Sequence, residues 1–254
     1  MTNRFDLTGK TAVVVGGVGG IGFHLSLGLA ECGADIVVAD FNLDPFAELA
    51  EKIDALGRKS LSVSVDVTQE QSVDDMVKKA LEEFPTIDIL VNIHGLAIRK
   101  PADTFPVDEW QKVMDINTRG TFLTCQAVGR VMIKQKSGKI INTSSVRGRY
   151  GLPEGYAAYC SSKGAVDALT RTLACEWAKH NVLVNAIAPT IVETPLTSDA
   201  LANPDFAKMM KARIPLGRWA FPEDIVGPVI FLSSKASDFV TGQVLYIDGG
   251  VTTW

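Results

Sequence analysis

Short apolar runs alternate with longer amphipathic segments along most of this 254-residue chain. The short runs have the length of strands and are apolar throughout, which is typical of strands buried on both faces. The segments between them repeat their apolar residues at helical spacing. The predicted strands are 11–15, 34–39, 60–65, 87–91, 139–144, 182–188 and 243–247. The predicted helices are 21–32, 44–56, 69–84, 108–135, 156–179 and 222–233.

This alternation predicts one α/β domain over residues 1–254, a doubly wound, seven-stranded parallel sheet with helices on both faces. No linker-like stretch, internal repeat or low-complexity segment divides the sequence. Residues 190–221 interrupt the alternation with three prolines and short helical pieces. Because ligands of open α/β sheets bind beyond the carboxyl ends of the strands, we expect this insertion to form a lid over the substrate.

A glycine-rich stretch from Gly16 to Gly22 joins the first predicted strand to the first predicted helix. Glycines at such a junction let the backbone approach a pyrophosphate, and the helix N-terminus offers free N–H groups and partial positive charge. A plain tight turn is the alternative. Five glycines within seven residues at a strand–helix junction favour nucleotide binding.

Asp40 closes the second predicted strand. A carboxylate at that place accepts hydrogen bonds from both hydroxyls of an adenosine ribose, and it repels a 2′-phosphate. No Lys or Arg occurs in the glycine loop or directly after Asp40, so the sequence favours NAD over NADP. The alternative is that Asp40 caps the helix predicted near Asp44.

Two side chains of the helix 156–179 are spaced for acid–base chemistry. Tyr159 and Lys163 are four residues apart and therefore share one helix face. A free phenol has a pKa of about 10. An ammonium about 5 Å away, at an effective dielectric constant of ~20, favours the phenolate by ~3 kcal/mol, or about two pKa units. Tyr159 would then be a general acid–base group. Taken alone the pattern is weak, and an ordinary helix-face contact is the alternative.

Ser145 follows the fifth predicted strand and is the candidate to hydrogen-bond the reacting oxygen. The parallel strands direct their carboxyl ends to one edge of the sheet, so Ser145 and the glycine loop are expected to share that edge.

Composition narrows the possible functions. A net charge of −4 and a pI of about 5.4 argue against a nucleic-acid partner and against electrostatic attraction to a membrane. No apolar run reaches the ~20 residues of a transmembrane helix, and the N-terminal residues lack a signal-peptide core. The four cysteines show neither C-x-x-C spacing nor a metal-ligand cluster. We therefore expect a cytoplasmic protein with free thiols and no bound metal.

In this order and at these strand ends, the motifs resemble the short-chain dehydrogenase/reductase family over nearly the full chain. The residues that carry the resemblance are Gly16, Gly20, Ile21, Gly22, Asp66-Val67, Asn92-Ile93-His94-Gly95, Asn117, Ser145, Tyr159, Lys163, Pro189 with Thr194, and Asp248-Gly249-Gly250. The resemblance implies a Rossmann-type fold, a nicotinamide cofactor and a homotetramer.

The resemblance also implies a role for each matching residue. Tyr159 would be the general acid/base, Lys163 would lower its pKa and hold the nicotinamide ribose, and Ser145 would orient the substrate oxygen. Asn117 would anchor a water that links Lys163 to solvent. The residues expected to bind the cofactor are Gly16, Gly20, Ile21, Gly22, Asp40, Asp66, Val67, Asn92, Gly95, Tyr159, Lys163, Pro189, Val192 and Thr194.

A few positions depart from the family pattern. Val15 stands where a threonine usually braces the glycine turn, His94 stands where alanine is usual, and Thr190 replaces a glycine. The interval between Ser145 and the tyrosine is slightly longer than is common, so Ser144 is the alternative to Ser145. None of these departures removes a catalytic group.

Charged and aromatic residues collect in the loops expected to face the substrate. The cationic ones are His94, Arg99, Lys100, Arg147 and Arg149. Clustered cations suit an anionic or polyhydroxylated substrate. The residues expected to contact it are His94, Arg147, Glu154 and Tyr156. Solvated loop charges or subunit contacts are the alternative, and His94 could equally be a neutral hydrogen-bonding residue.

Several stretches, including 99–102, 109–115, 176–178 and 213–219, resemble the branch that contains gluconate 5-dehydrogenase and related sugar-acid and polyol dehydrogenases. The expected reaction is hydride transfer between NAD and a secondary alcohol of a polyol, sugar or sugar acid. A 3-oxoacyl thioester reductase is the main alternative, although it usually uses NADP and a basic residue in the glycine loop. A non-catalytic nucleotide sensor is the other, and the complete catalytic set argues against it. Trp254 is a candidate contact across subunits.

Overall fold

A computed structural model gives the structure of the protein and describes residues 3–152, 155–195 and 197–253. The strands are β1 (Thr11–Val15), β2 (Asp35–Asp40), β3 (Ser60–Ser64), β4 (Ile89–Asn92), β5 (Gly138–Thr143), β6 (Val182–Pro189) and β7 (Val244–Ile247). They form one sheet in the order β3-β2-β1-β4-β5-β6-β7, and every neighbouring pair is parallel. The predicted seven-stranded parallel sheet is therefore confirmed.

Helices cover both faces of the sheet. They are α1 (Gly20–Glu31), α2 (Phe46–Ala55), α3 (Glu70–Glu83), α4 (Val107–Met114), α5 (Gly120–Gln135), α6 (Ala157–Trp177), α7 (Ser198–Ala202), α8 (Pro204–Arg213) and α9 (Pro222–Ser233). Buried residues of α3, α5 and α6 pack against one face, and those of α1, α2 and α9 pack against the other. None of the described helices combines the length and the apolar character needed to cross a lipid bilayer.

The two helix layers explain why the central strands are mainly apolar. All five residues of β1 are buried. Successive side chains of a strand point to opposite faces, so Val13 and Val15 join the core under α3, α5 and α6, while Ala12 and Val14 join the other core. A polar residue at any of these four positions would be buried without water, and the polar residue of β1, Thr11, stands at its first position.

The strand order places a binding crevice beside β1. The chain moves outward from β1 to β2 and β3 and then returns to β4 on the other side of β1. In doubly wound sheets a crevice opens at such a reversal, at the carboxyl ends of the strands. The glycine loop after β1 and the segment after β4 meet there, because the N–H groups of Ile93 and His94 both donate to the Val15 carbonyl.

The long helix predicted over 108–135 is interrupted. It consists of α4, a π-helical turn at Asp115–Arg119, and α5. Residues 190–221, for which the sequence predicts an insertion, contain α7 and α8.

Candidate active site

A cleft of about 1250 Å³ opens at the carboxyl ends of β1, β2 and β4, and we call it the glycine-loop cleft. The residues predicted to bind the cofactor that line it are Gly16, Gly20, Ile21, Gly22, Asp40, Asp66, Val67, Gly95 and Thr194. A cavity of this volume is larger than most sites for small ligands. It has room for an extended ligand such as a dinucleotide.

The glycine loop is shaped by close backbone contacts. A Cβ atom at Gly22 would overlap the carbonyl oxygen of Gly16, so only glycine fits there. Gly16 has φ +87° and its N–H donates to the Ala39 carbonyl at 2.7 Å, which binds the turn to β2. Within the described residues, no side chain caps the N-terminus of α1 at Gly19. The loop and helix therefore form a backbone cradle that fits a phosphate group.

Asp40 lies at the end of β2 on the wall of the glycine-loop cleft. Its Oδ1 accepts a hydrogen bond from the Phe41 N–H at 2.8 Å, and its Oδ2 accepts a longer one from the Val18 N–H at 3.4 Å. The carboxylate is thus held toward the glycine loop. This geometry does not support the alternative that Asp40 caps the next helix, because α2 begins later, after Pro45.

A second cavity, the inner pocket, has a volume of about 330 Å³ and is lined by Ser145, Tyr159 and Lys163. It shares Ile21, Ile93, His94, Gly95, Leu96 and Thr194 with the glycine-loop cleft. The other predicted site residues on its wall are Arg147, Tyr156, Pro189 and Val192. The serine, tyrosine and lysine predicted from the sequence therefore come together next to the glycine-loop cleft.

Ser145 follows β5 and begins a short 3₁₀ turn, Val146–Gly148. Its Oγ accepts a hydrogen bond from the Arg147 N–H at 3.2 Å and donates to the Pro189 carbonyl at 3.4 Å. Its interaction with Tyr159 acts to lower the pKa of that phenol. Ser144, the alternative, directs its Oγ to the Lys163 carbonyl at 3.4 Å. The geometry thus favours Ser145 as the serine that acts with the tyrosine.

Tyr159 and Lys163 lie on one face of α6, as their spacing predicts. The Lys163 Nζ is 5.6 Å from the centroid of the Tyr159 ring and donates a hydrogen bond to the Thr143 carbonyl at 2.7 Å. Lys163 is only 3% exposed, and burial lowers its pKa to about 8 although the charge of Asp167 opposes this.

Burial also raises the pKa of Tyr159 above its ordinary value, although the hydrogen bond with Ser145 and the charge of Arg147 act against the rise. The net shift of the Tyr159 pKa is therefore upward, opposite to the lowering expected from the spacing of Tyr159 and Lys163. The physical reason is that both groups are buried, which disfavours the charged form of each. The lysine also faces the ring and bonds to a backbone carbonyl.

Asn117 lies in the π-helical turn and is fully buried. Its Oδ1 accepts from the Leu96 N–H at 2.7 Å, and its Nδ2 donates to the Leu96 carbonyl at 2.8 Å and to Ser162 Oγ at 3.0 Å. The side chain thereby joins the segment after β4 to α6, one residue before Lys163. π-Helical turns occur frequently at functional sites, and the regular helical spacing of 108–135 gave no sign of this one.

Among the predicted site residues, one is deeply buried, one is partly buried and neutral, and a third lies outside the described residues. Asn92 is 1% exposed, donates to Asn142 Oδ1 at 3.0 Å, and lines neither cavity. His94 lines both cavities, and burial together with the charge of Lys163 lowers its pKa to about 3, so it is neutral. Glu154, like Trp254, lies outside the described residues.

The inner pocket also includes a wall that the sequence interpretation missed. Phe206, Met210 and Arg213 of α8 line it. Their spacing of four and then three residues places them on one helix face. That spacing could have identified them, but the three prolines of residues 190–221 interrupt the helical pattern of this segment.

The parallel sheet, its strand reversal and the backbone cradle define a nucleotide-binding protein of the Rossmann class. Residues 16–252 match the sequence profile of a family described as enoyl-(acyl carrier protein) reductase. The chain belongs to the short-chain dehydrogenase/reductase family, as its motifs predicted.

Relatives and solved structures resemble the chain over nearly its whole length. It is 42% identical over 252 residues to the 2-dehydro-3-deoxy-D-gluconate 5-dehydrogenase of Dickeya dadantii, covering 98% of this chain and 97% of the relative. It is 38% identical over 248 residues to the NAD-dependent glycerol dehydrogenase of Listeria innocua, covering 98% and 96%. A crystal structure of a gluconate 5-dehydrogenase from Burkholderia cenocepacia in complex with NADP and tartrate superposes with a TM-score of 0.94 at 38% identity, covering 99% of this chain and 98% of that chain.

Proposed function

We propose that the protein is an NAD-dependent oxidoreductase that transfers a hydride between NAD and a secondary alcohol of a polyol, sugar or sugar acid. The observation that carries the proposal is the inner pocket, in which Ser145, Tyr159 and Lys163 meet beside the glycine-loop cleft. An alcohol in this pocket would have its hydroxyl near a phenol that can take its proton, while its carbon faces the cleft. Bound NAD would supply the hydride acceptor.

The side chains would act on the proton of the substrate hydroxyl. Tyr159 Oη takes this proton when the alcohol is oxidised and returns it when the ketone is reduced. Ser145 hydrogen-bonds the same substrate oxygen and orients it, since its Oγ is already held by the Pro189 carbonyl and the Arg147 N–H. Lys163, held by the Thr143 carbonyl, carries the positive charge that stabilises the phenolate.

Asn117 supports the site from behind. Its side chain is saturated by Leu96 and Ser162, so its amide fixes the loop after β4 and the first turns of α6. We propose that this fixed arrangement positions Lys163 and holds the water through which the lysine exchanges protons with solvent. A buried water of this kind needs several fixed polar partners.

Most residues of the predicted cofactor set line the glycine-loop cleft, and Pro189 and Val192 line the adjoining inner pocket. Gly16, Gly20, Ile21 and Gly22 would cradle the pyrophosphate, Asp66 and Val67 would flank the adenine, and Pro189, Val192 and Thr194 would border the nicotinamide end. Asp40 supports NAD rather than NADP, because a carboxylate accepts the ribose hydroxyls and repels a 2′-phosphate. The NAD-dependent relative from Listeria agrees with this preference, whereas the Burkholderia structure contains NADP.

The substrate class rests on the relatives and on the charge of the pocket. Relatives named for gluconate derivatives and for glycerol support a polyhydroxylated substrate. A 3-oxoacyl thioester reductase is the alternative, and the family profile is described for a different reductase of acyl thioesters. The glycine loop has no basic residue, which argues against the NADP preference that usually accompanies that activity.

Initial rates at the absorbance band of reduced nicotinamide test the proposal. The substrates are D-gluconate, 2-dehydro-3-deoxy-D-gluconate, D-glucitol and glycerol, each with NAD and with NADP. We expect turnover with at least one of them and with NAD as the better cofactor. Failure with all four substrates, together with oxidation of NADPH by a 3-oxoacyl thioester, would establish the alternative.

We also propose that the protein is a homotetramer, as is usual for the family. The exposed face of α5 supports an interface, since Phe122 on that helix is 40% exposed. Sedimentation equilibrium tests this assembly, and a monomeric mass at micromolar concentration would contradict it.

A further inference from the structure

A third cavity, the outer chamber, adjoins the inner pocket and has a volume of about 620 Å³. The two cavities share Arg147, Leu152, Thr190, Met210 and Arg213. Among the described residues that line either cavity, none is acidic, while the cationic ones are Arg147, Arg149, Lys163 and Arg213. A protein with a net charge of −4 thus concentrates positive charge around the site of reaction. Such a field attracts anions.

Arg147 is held in a fixed position relative to the catalytic serine. It is the second residue of the turn Val146–Gly148, and its backbone N–H donates to Ser145 Oγ at 3.2 Å. Only one residue separates the two side chains. A group bound by the Arg147 guanidinium would therefore lie at a constant distance from an oxygen bound by Ser145.

The guanidinium of Arg147 is packed between aromatic rings. Its Cζ lies 5.0 Å from the centroid of the Tyr150 ring and 5.6 Å from that of Tyr156. Its buried Nη1 has no hydrogen-bond partner in the part of the chain that the structure describes. Stacking uses the flat faces of a guanidinium and leaves its edge for a planar, two-oxygen acceptor. A buried N–H group without a partner is unfavourable, so a ligand that pairs with it is favoured.

We infer that Arg147 is a specificity-determining residue that binds the carboxylate of a sugar-acid substrate. This inference rests on the proposed function and narrows its substrate class from polyols in general to sugar acids. The carboxylate would lie against Arg147 where the inner pocket meets the outer chamber, and the reacting carbinol would lie between Ser145 and Tyr159. Arg213, at the end of α8, adds positive charge from the opposite wall.

The other cations of the predicted cluster have different environments. Lys100 pairs with Glu109 at 2.6 Å. The Arg149 Cζ lies 5.5 Å from the Tyr246 ring, and its residue is exposed. Of the cluster predicted from the sequence, Arg147 is thus the cation that joins the inner pocket to the outer chamber.

The test compares D-gluconate with D-gluconamide, which has the same hydroxyl groups and no charge. Wild type and Arg147→Gln are assayed for kcat/KM with both compounds. We expect the wild-type preference for gluconate over gluconamide to fall on the order of 10²-fold in the variant, equivalent to about 2.7 kcal/mol. Arg147→Lys, which keeps the charge but loses the planar edge, should fall between the two.

The ratio of the two substrates isolates the carboxylate contact. Arg147 also acts on the pKa of Tyr159, but that effect changes both rates alike and cancels in the ratio. NADH binding measured by fluorescence shows that each variant is folded. Arg130→Gln, an exposed arginine paired with Asp74, is the matched control and should leave the ratio unchanged.

The outcomes separate this inference from the proposed function. If the variant keeps the wild-type ratio, or if wild type turns over both compounds equally, Arg147 does not bind the carboxylate. The inference is then overturned, while the proposed reaction stands. If wild type oxidises no polyol and no sugar acid, the proposed function itself fails, and the inference fails with it.

Discussion

Asp40 provides a sharp test of cofactor choice, because relatives of this chain include both an NAD-dependent enzyme and a structure containing NADP. We expect wild type to prefer NAD and Asp40→Asn to lose most of this preference. The substitution removes one negative charge and keeps the shape of the side chain. The asparagine oxygen can still accept the hydrogen bond that the Phe41 N–H now donates at 2.8 Å, so the end of β2 should keep its conformation.

The size of the effect follows from two contributions. A 2′-phosphate carries about two negative charges at neutral pH. At ~5 Å from the carboxylate and an effective dielectric constant of ~40, the repulsion is about 3 kcal/mol. Hydrogen bonds from ribose hydroxyls to a carboxylate contribute about 1.5–3 kcal/mol each, and an amide keeps only part of this. The ratio of kcat/KM for NAD to that for NADP should therefore fall on the order of 10³-fold in the variant.

The assay is the initial rate with each cofactor at a saturating concentration of the alcohol. Asp44→Asn is the matched control, because Asp44 lies in the same loop, is exposed, and does not line the glycine-loop cleft. It makes the same change of charge and should leave the ratio within about threefold of wild type. A wild-type preference for NADP, or an equal shift in the control, would refute the reasoning.

Three further substitutions address the mechanism and the fold. Tyr159→Phe should reduce kcat by at least ~10²-fold and leave NADH binding unchanged, since the ring keeps its shape and loses its transferable proton; initial rates and fluorescence titration measure the two effects, and wild-type activity would exclude this role. Lys163 has a pKa of about 8 in the folded protein against 10.5 when exposed, so the free energy of unfolding gains from this group as pH rises between these values. The difference in the free energy of unfolding between Lys163→Met and wild type should therefore favour the variant most at pH 7 and should shift toward wild type by up to about 3 kcal/mol at pH 10.5. Urea denaturation at both pH values measures this difference. A difference that does not change with pH would contradict the prediction. Gly22→Ala should cost more than ~3 kcal/mol because its Cβ overlaps the Gly16 carbonyl, whereas Gly19→Ala, whose Cβ meets no described atom within 4 Å, should leave the melting temperature nearly unchanged.

The sheet could be predicted from the sequence because strands buried on both faces appear as short runs of apolar residues. The run predicted at 11–15 coincides with β1, and the other strands agree within one or two residues. A strand between two helix layers must be apolar throughout, so its length can be read directly. The glycine loop was predictable for a similar reason, since the overlap at Gly22 allows a single residue type.

The π-helical turn was not predictable in the same way. Asn117, within this turn, forms two hydrogen bonds with the backbone of Leu96, which lies 21 positions earlier in the chain. Such a pairing leaves no periodic mark in the sequence, because it depends on where β4 and α5 lie in space. The environment of Asn92 depends on a similar pairing, because its side chain donates to Asn142 Oδ1 inside the core.

The acid–base pair shows how burial changes a conclusion drawn from spacing. The interval between Tyr159 and Lys163 predicts proximity, and proximity alone would lower the pKa of the phenol. The inner pocket that brings the two together also removes them from water, which raises the pKa of Tyr159 and lowers that of Lys163 to about 8. A lysine with that pKa changes charge in the range where alcohol oxidation would need a phenolate. A rate profile should therefore contain the ionisation of Lys163 as well as that of Tyr159, and an apparent pKa read from it is not that of the tyrosine alone.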